Sequence, residues 1–366
     1  MTPTGELTSD SLSDVYNTNL AFTRSSSSGY DIMLFDTVSE NLTTIDPTAF
    51  PQRASPAIGN NTIAYIDFAL GPNLVVHNIS ANTATRLTND AAVDQAPQVS
   101  PNGQVVVWQT CSSTCNINQA VNSGTSWTIS AVTNTPEANN NPDTDGVNVV
   151  YDSNRATSVG GSDIYFRQID SSPEVQIALA GVQTNPSIAA GIIAFQSSAG
   201  GASPNDLFVY RISSNELFQV TNTPTISEIL NDVTVLPNGD VRLVWSTGGA
   251  EADVLATTFT LPPPTATYNF TGFFQPVDNL PTINTAKAGS AIPVKFSLGG
   301  YQGLDIIATG FPASQQIFCN TSEPTDQIEQ TVTAGSSSLS YDATSDEYTS
   351  GRYQPNTYRL HLGTNS

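Results

Sequence analysis

Lysine is nearly missing from this chain. Of its 11 basic residues only Lys287 and Lys295 are lysines, and 32 acids oppose them, for a net charge of −21. Nucleic-acid binding needs clustered Lys and Arg to neutralise phosphates, so that class is excluded, and an anionic membrane surface is disfavoured for the same reason. The acids are scattered singly rather than in blocks, which argues against an acidic tail and leaves cation binding open. Histidine is scarcer still, with His77 and His361 alone. A Ser-His-Asp triad would have to use one of them, and neither has a supporting motif; a Gly-x-Ser-x-Gly elbow and a phosphate loop are absent too. No apolar run approaches the roughly 18 residues of a transmembrane helix. The opening Met1-Thr2-Pro3-Thr4-Gly5 has neither the basic start nor the apolar stretch of a signal peptide, so the chain reads as a mature fragment. Sustained helical periodicity is missing throughout.

What is present is a repeat. A small apolar pair followed by an aromatic recurs as Leu20-Ala21-Phe22, Ile63-Ala64-Tyr65, Val106-Val107-Trp108, Val149-Val150-Tyr151, Ile193-Ala194-Phe195 and Leu243-Val244-Trp245. The aromatics are 43, 43, 43, 44 and 50 residues apart. That period is the length of a four-stranded propeller blade, and six units predict an all-β, six-bladed propeller over residues 1–261. The anchored strand is apolar on both faces, as expected of a strand buried between neighbours. A segment that often contains Pro precedes it, as in Pro97-Gln98-Val99 and Pro186-Ser187-Ile188, followed by hairpin turns such as Pro101-Asn102-Gly103 and Asp145-Gly146. After the anchor comes a strand opened by Asp31, Asp163, Asp206 or Asp253, whose recurrence points to loop hydrogen bonding. A polar fourth strand is read in Arg86-Leu87-Thr88-Asn89-Asp90 and Gln219-Val220-Thr221-Asn222. The sixth unit lacks it, and Glu6-Leu7-Thr8-Ser9-Asp10 is the segment expected to close the last blade.

Leu-Thr-Asn-Asp, a Pro, Ser100-Pro101-Asn102-Gly103 and Val-Val-Trp together resemble the TolB-like propeller repeat. The resemblance implies a six-bladed ring and covers residues 6–261. Pro262 to Thr265 opens a short stiff linker over 262–267. Beyond it, Pro276-Val277-Asp278-Asn279-Leu280-Pro281, Lys287-Ala288-Gly289 and Pro293-Val294-Lys295-Phe296-Ser297-Leu298-Gly299-Gly300 resemble the PxKF domain of bacterial surface proteins. That resemblance implies a small antiparallel β-sandwich over 268–366. The text departs from the family after about Tyr348 and leaves Cys319 without a partner in its own module, so the module reads as truncated.

Three sets of candidate site residues stand out. Cys111 and Cys115 lie four apart in a Ser/Asn-rich loop, close enough for a local disulfide; free thiols and a metal pair are the other readings. Asn141, Asp143, Asp145 and Asp152, around Gly146, imitate the alternating oxygens of a calcium loop, although Asp145-Gly146 also suits a plain hairpin turn. Asp14, Asp94, Asp143 and Asp232 each precede an anchored strand and are read as acids at one mouth of the propeller channel, against the plain tendency of Asp to open strands.

No catalytic set emerges, and calcium is the one cofactor the sequence raises. The expected function is a non-catalytic binding or scaffold protein, secreted or attached to the cell envelope, that offers a propeller face to a protein or glycan. One alternative is an extracellular carbohydrate-active enzyme using propeller-face carboxylates. Another is a subunit of a surface assembly joined by strand addition at the edge of 268–366.

Overall fold

The structure is a computed structural model that describes residues 8–47, 52–155, 161–169, 173–198, 204–248, 252–264, 269–279, 282, 284, 292–301, 306, 313–316, 329–330, 339–353 and 358–361. Each repeated aromatic marks the second strand of a sheet. In chain order the sheets are β1 (Ser9–Tyr16), β2 (Asn19–Ser26), β3 (Gly29–Asp36) and β4 (Asn41–Ile45); β5 (Arg53–Gly59), β6 (Thr62–Asp67), β7 (Asn73–Asn78) and β8 (Thr83–Arg86); then β9 (Val93–Val99), β10 (Val105–Cys111), β11 (Cys115–Asn122) and β12 (Trp127–Ala131). They continue with β13 (Asn139–Thr144), β14 (Asn148–Ser153), β15 (Asp163–Gln168) and β16 (Val175–Gln176); β17 (Gln183–Ala189), β18 (Ile192–Ser197), β19 (Asp206–Arg211) and β20 (Glu216–Gln219); and finally β21 (Glu228–Val235), β22 (Val241–Thr247) and β23 (Val254–Phe259). Every pairing is antiparallel between sequence neighbours, and no helix occurs among the described residues. These sheets form one compact unit, Met1–Pro262, and Pro263–Ser366 forms a second.

Burial explains the repeat. Successive side chains of the second strand point to opposite faces. Ile63 and Tyr65 join Ala21 and Ile32 of the first sheet, while Ala64 and Ile66 join Val106 and Trp108 of the third. The same alternation couples the third sheet to the fourth, the fourth to the fifth, and the fifth to the sixth. The anchor aromatic always faces the preceding sheet, and Tyr65, Trp108, Tyr151 and Phe195 are at most 1% exposed. Phe22 of the first sheet points the other way from Ala21 and lines a cavity of about 420 Å³ with Leu20, Phe35 and Leu42, under a bidentate Asp10–Arg24 pair at 2.8 Å. Among the described residues no apolar cluster joins the sixth sheet to the first.

The first strand of each of the middle four sheets carries a bulge at an X-Pro pair: Ser55-Pro56, Ala96-Pro97, Asn141-Pro142 and Asn185-Pro186. The residue before each Pro is left-handed, with φ of 56°, 47°, 51° and 55°. Successive hairpins also touch. A Cβ on Gly59 would sit 2.0 Å from the Ser100 carbonyl oxygen, so only glycine fits there, and Thr62 donates to the Gly103 carbonyl at 3.0 Å.

Two expectations need correcting. The fourth strands end earlier than the sequence suggests, at Arg86 and Gln219. The following Leu-Thr pair leaves the ladder because it serves as a fastener. Leu87 N–H donates to the Leu74 carbonyl, and the Thr88 hydroxyl accepts from Leu74 N–H at 2.8 Å and donates to Asp94 of the next sheet. Thr221 repeats this with Leu207 N–H, at 2.8 Å, and with Glu228. Second, Ser9 and Asp10 of the expected closing segment 6–10 belong to β1, where the ladder to Ser25 and Arg24 of β2 takes them; residues 6 and 7 lie outside the described residues. The sixth sheet has three strands among the described residues.

In the second unit, one sheet orders Phe273–Phe274, Ile292–Phe296, Glu347–Tyr353 and Ser340–Asp342, and another orders Glu329–Gln330, Ala313–Gln316 and Tyr358–His361. Alternation in Pro293-Val294-Lys295-Phe296 buries Val294 and Phe296, with Phe296 stacked on Tyr348 at 5.5 Å, while Lys295 Nζ reaches Glu347 at 2.6 Å. Asp346 accepts from Ser297 Oγ, Tyr341 OH and Gly300 N–H, and these bonds hold its carboxyl below the usual range. Cys319 lies outside the described residues.

Replacing Thr88 by Val keeps the shape but strands Leu74 N–H and removes the donor to Asp94 Oδ2. The expected cost is about 1–3 kcal/mol, read as a lower urea midpoint, against a change of at most ~0.5 kcal/mol for the exposed Thr43→Val. Equal midpoints for the two variants would refute the fastener.

Candidate functional site

A residue at or just beyond each bulge comes to a common level. Opposite the residue before each anchor stand Asp14, Ala57, Gln98, Asp143, Ser187 and Asp232, one from the first strand of each sheet. Three of the six are acids, and they are linked. Asp14 accepts from its own neighbour Val15 N–H at 2.8 Å and from Ile58 N–H of the next sheet at 2.7 Å. Asp143 repeats the pattern with Thr144 N–H at 2.7 Å and Ile188 N–H at 2.8 Å. Asp232 accepts from Val233 N–H at 2.7 Å. The Ser187 hydroxyl lies 3.0 Å from Asp143 and 2.9 Å from Asp232; with a single proton it donates to one carboxylate at a time, and sharing a proton between the acids satisfies the other contact.

Charge at this level is costly. Burial pushes the Asp143 carboxyl up to about 7, and the neighbouring Asp232 adds to the push; backbone donors and Ser187 oppose it. Burial likewise pushes Asp14 up to about 6, again with a smaller contribution from Asp232. Asp232 is also raised, by burial; it remains water-accessible, so solvent screens its share of the repulsion.

Asp94, the fourth expected channel acid, is one level away. It stands opposite Thr110, alongside Asp10, Arg53, Asn139, Gln183 and Glu228 at equivalent positions. Its carboxylate is 1% exposed as a residue and is used within the sheet, accepting from Trp108 Nε1 at 3.0 Å and Thr110 Oγ1 at 2.7 Å as well as from Thr88. The members that sequence reasoning missed are Ala57, Gln98 and Ser187. The signal was available: each directly follows the bulge proline.

The four residues of the expected calcium loop are not brought together. Asp143 belongs to the level just described. Asp145 caps its own turn through Val147 N–H at 2.9 Å and Asn148 N–H at 2.7 Å, and accepts from Gly191 N–H of the next sheet at 2.8 Å. Asp152 accepts from Asn141 Nδ2 at 2.6 Å, and burial raises its carboxyl. Among the described residues no three His, Cys, Asp or Glu side chains are grouped to hold a metal ion. Cys111 and Cys115 form a disulfide directly across the β10–β11 hairpin. His77 is 1% exposed and turns Nδ1 to Asp46 at 3.1 Å. Asp163 and Asp206 accept from Gln176 Nε2 at 2.6 Å and Gln219 Nε2 at 3.1 Å, repeated cross-strand contacts to β16 and β20 rather than the repeated loop bonds expected.

The acid level makes stability depend on pH. In an unfolded chain these aspartates titrate near ~3.9, below their folded values, so the folded state holds protons that the unfolded state releases. The stability they contribute is therefore lost as pH rises from about 4 through 7. The melting temperature is expected to be higher at pH 5 than at pH 8, and Asp232→Asn to flatten that slope, whereas the exposed Glu40→Gln leaves it. An unchanged slope in Asp232→Asn would refute the coupling.

No family model matches the sequence, and no curated protein matches it. Solved structures do. TolB from Acinetobacter baumannii is 19% identical with a TM-score of 0.43, over 63% of this chain and 62% of that one. An oligogalacturonate lyase in complex with manganese is 10% identical with a TM-score of 0.52, over 70% of this chain and 76% of that one. The β-propeller domain of the trilobed protease from Pyrococcus furiosus is 9% identical with a TM-score of 0.49, over 80% of this chain and 90% of that one. This chain thus spans less than two thirds of the TolB chain's length. At such identities the likeness is one of fold alone: the chain is an all-β protein of small antiparallel sheets, with propeller proteins as its structural neighbours.

Proposed function

We propose that the protein is a non-catalytic binding and scaffold protein, built on a six-bladed TolB-like ring and working outside the cell or at its envelope. The six sheets are the blades. The ring closes where Phe22 of the first faces the sixth and Asp14 approaches Asp232. The second unit, with its Pro293-Val294-Lys295-Phe296 strand, is a PxKF-like sandwich that serves as a spacer or attachment element. The disulfide suits an oxidising setting.

The observation that carries this reading is how the shifted carboxylates are used. Asp14 and Asp143 each hold a backbone N–H of the following blade, and Asp143 and Asp232 converge on Ser187. Shifted acids mark catalytic sites only when a cleft presents them to substrate. Here their companions at the same level are Ala57, Gln98 and Ser187, none of them an aromatic wall to hold a sugar. The acids fasten blades, and binding falls to the loops and clefts between sheets.

The test uses the immobilised full chain against a cell-surface extract, together with a hydrolase and lyase screen on oligosaccharides. Saturable retention of a partner without turnover is the expected outcome. Turnover that disappears in Asp143→Asn would instead establish the carbohydrate-active enzyme.

A further inference from the structure

The second and third sheets leave a cleft of about 260 Å³ between them. Its walls include Asn78, Thr83 and Thr85 from one sheet and Asn122, Ser126 and Trp127 from the β11–β12 hairpin of the other. Three properties set it apart from the acid level. First, no lining side chain carries a fixed charge; the one titratable group, His77, is engaged by Asp46. Second, hydrogen-bonding capacity is left over. Asn78 and Asn122 use Oδ1 within their own turns, accepting from Ala81 N–H and Gly124 N–H, both at 2.8 Å. Among the described residues, their Nδ2 groups, the Thr83 and Thr85 hydroxyls and Trp127 Nε1 make no hydrogen bond. Third, Trp127 is half-buried against the Val76–Trp108 cluster, so one part of the indole is fixed by packing while another borders the cleft.

Amide donors, hydroxyls and a braced aromatic without charge suit a ligand with hydroxyls on its edges and an apolar C–H face. They do not suit an anion, which the net charge of −21 also repels. The volume lies below the ~300–1,000 Å³ of drug-sized pockets, which fits one or two sugar rings. We propose that this cleft is a subsite for a neutral oligosaccharide, with a pyranose C–H face laid on Trp127 and its hydroxyls met by Thr83, Thr85 and the amides of Asn78 and Asn122. The inference rests on the binding reading above and gives it a ligand class.

The probes are four uncharged disaccharides, cellobiose, maltose, lactose and chitobiose, titrated into the full chain at millimolar concentration. Trp127 is the half-exposed tryptophan, since Trp108 and Trp245 are 1% and 8% exposed, so quenching of tryptophan fluorescence by acrylamide reports on it. At least one sugar is expected to bind saturably by calorimetry and to protect Trp127 from the quencher. Trp127→Ala should abolish the heat, Thr85→Val should weaken binding about tenfold, equivalent to ~1.4 kcal/mol, and Trp127→Phe should bind within a few-fold of wild type. If Trp127→Ala does not fold, Thr85→Val and Trp127→Phe decide. No saturable heat from any of the four sugars, or binding undiminished by Thr85→Val and Trp127→Ala, overturns the subsite. If the chain retains a cell-surface partner while ignoring all four, the subsite alone falls; if it retains nothing, the binding reading falls with it.

Discussion

A strand that is apolar on both faces cannot be satisfied by one neighbour, and the rest of this structure follows from that. Each second strand sends alternate side chains to the sheet before and the sheet after, as Tyr65 and Ile66 do. A row of such sheets buries everything except its two ends. The end faces here are unequal. The first sheet presents Leu20, Phe22, Phe35 and Leu42, while on the sixth Trp245 and Leu243 already face the fifth and leave Val244 for the other side. A ring answers the problem by bringing these ends together, and the proposed closure joins an aromatic face to a slighter one, with Arg24 over Phe22 at 5.3 Å as part of the cover.

The acid level is the electrostatic counterpart of that packing. First strands converge, so whatever polar group each carries at the shared level must find a partner. Asp14 and Asp143 find one in the backbone of the next sheet, and Ser187 mediates between two carboxylates. The result ties sheets together at the expense of repulsion among Asp14, Asp143 and Asp232. The level of shifted acids and the uncharged cleft with spare donors are separate places in the fold.

How much was legible follows from what each signal encodes. The 43-residue spacing of the anchors located the second strands without error in type, because an aromatic wedged between two sheets has no substitute. The cysteine pair was legible because its separation alone brings it across a hairpin. The level of the first strands was not, because the hairpin before each anchor varies in length. Asp143 stands 8 residues before Tyr151, yet the equivalent Gln98 stands 10 before Trp108, so nearness to the start of a first strand does not place Asp94. Leu87-Thr88 was read as strand because it is apolar-polar in alternation, and only the hydrogen bonds reveal that it turns away. The calcium-like spacing says little about placement for a related reason: the bulge pairs Asn141 with Asp152, while Asp143 joins the first-strand level and Asp145 caps its own turn.

The X-Pro bulges have a consequence for the company the chain keeps. The first strand of each sheet has a free edge, and a regular free edge is a template on which another chain can add a strand. Here the edge is interrupted in four consecutive sheets by a left-handed residue that twists the backbone and by a proline that offers no N–H. A nascent chain whose sheets are only partly stacked is thereby a poor seed for fibrils and a poor acceptor for swapped strands. The device that aims Asp143 and Ser187 also keeps unfinished molecules apart.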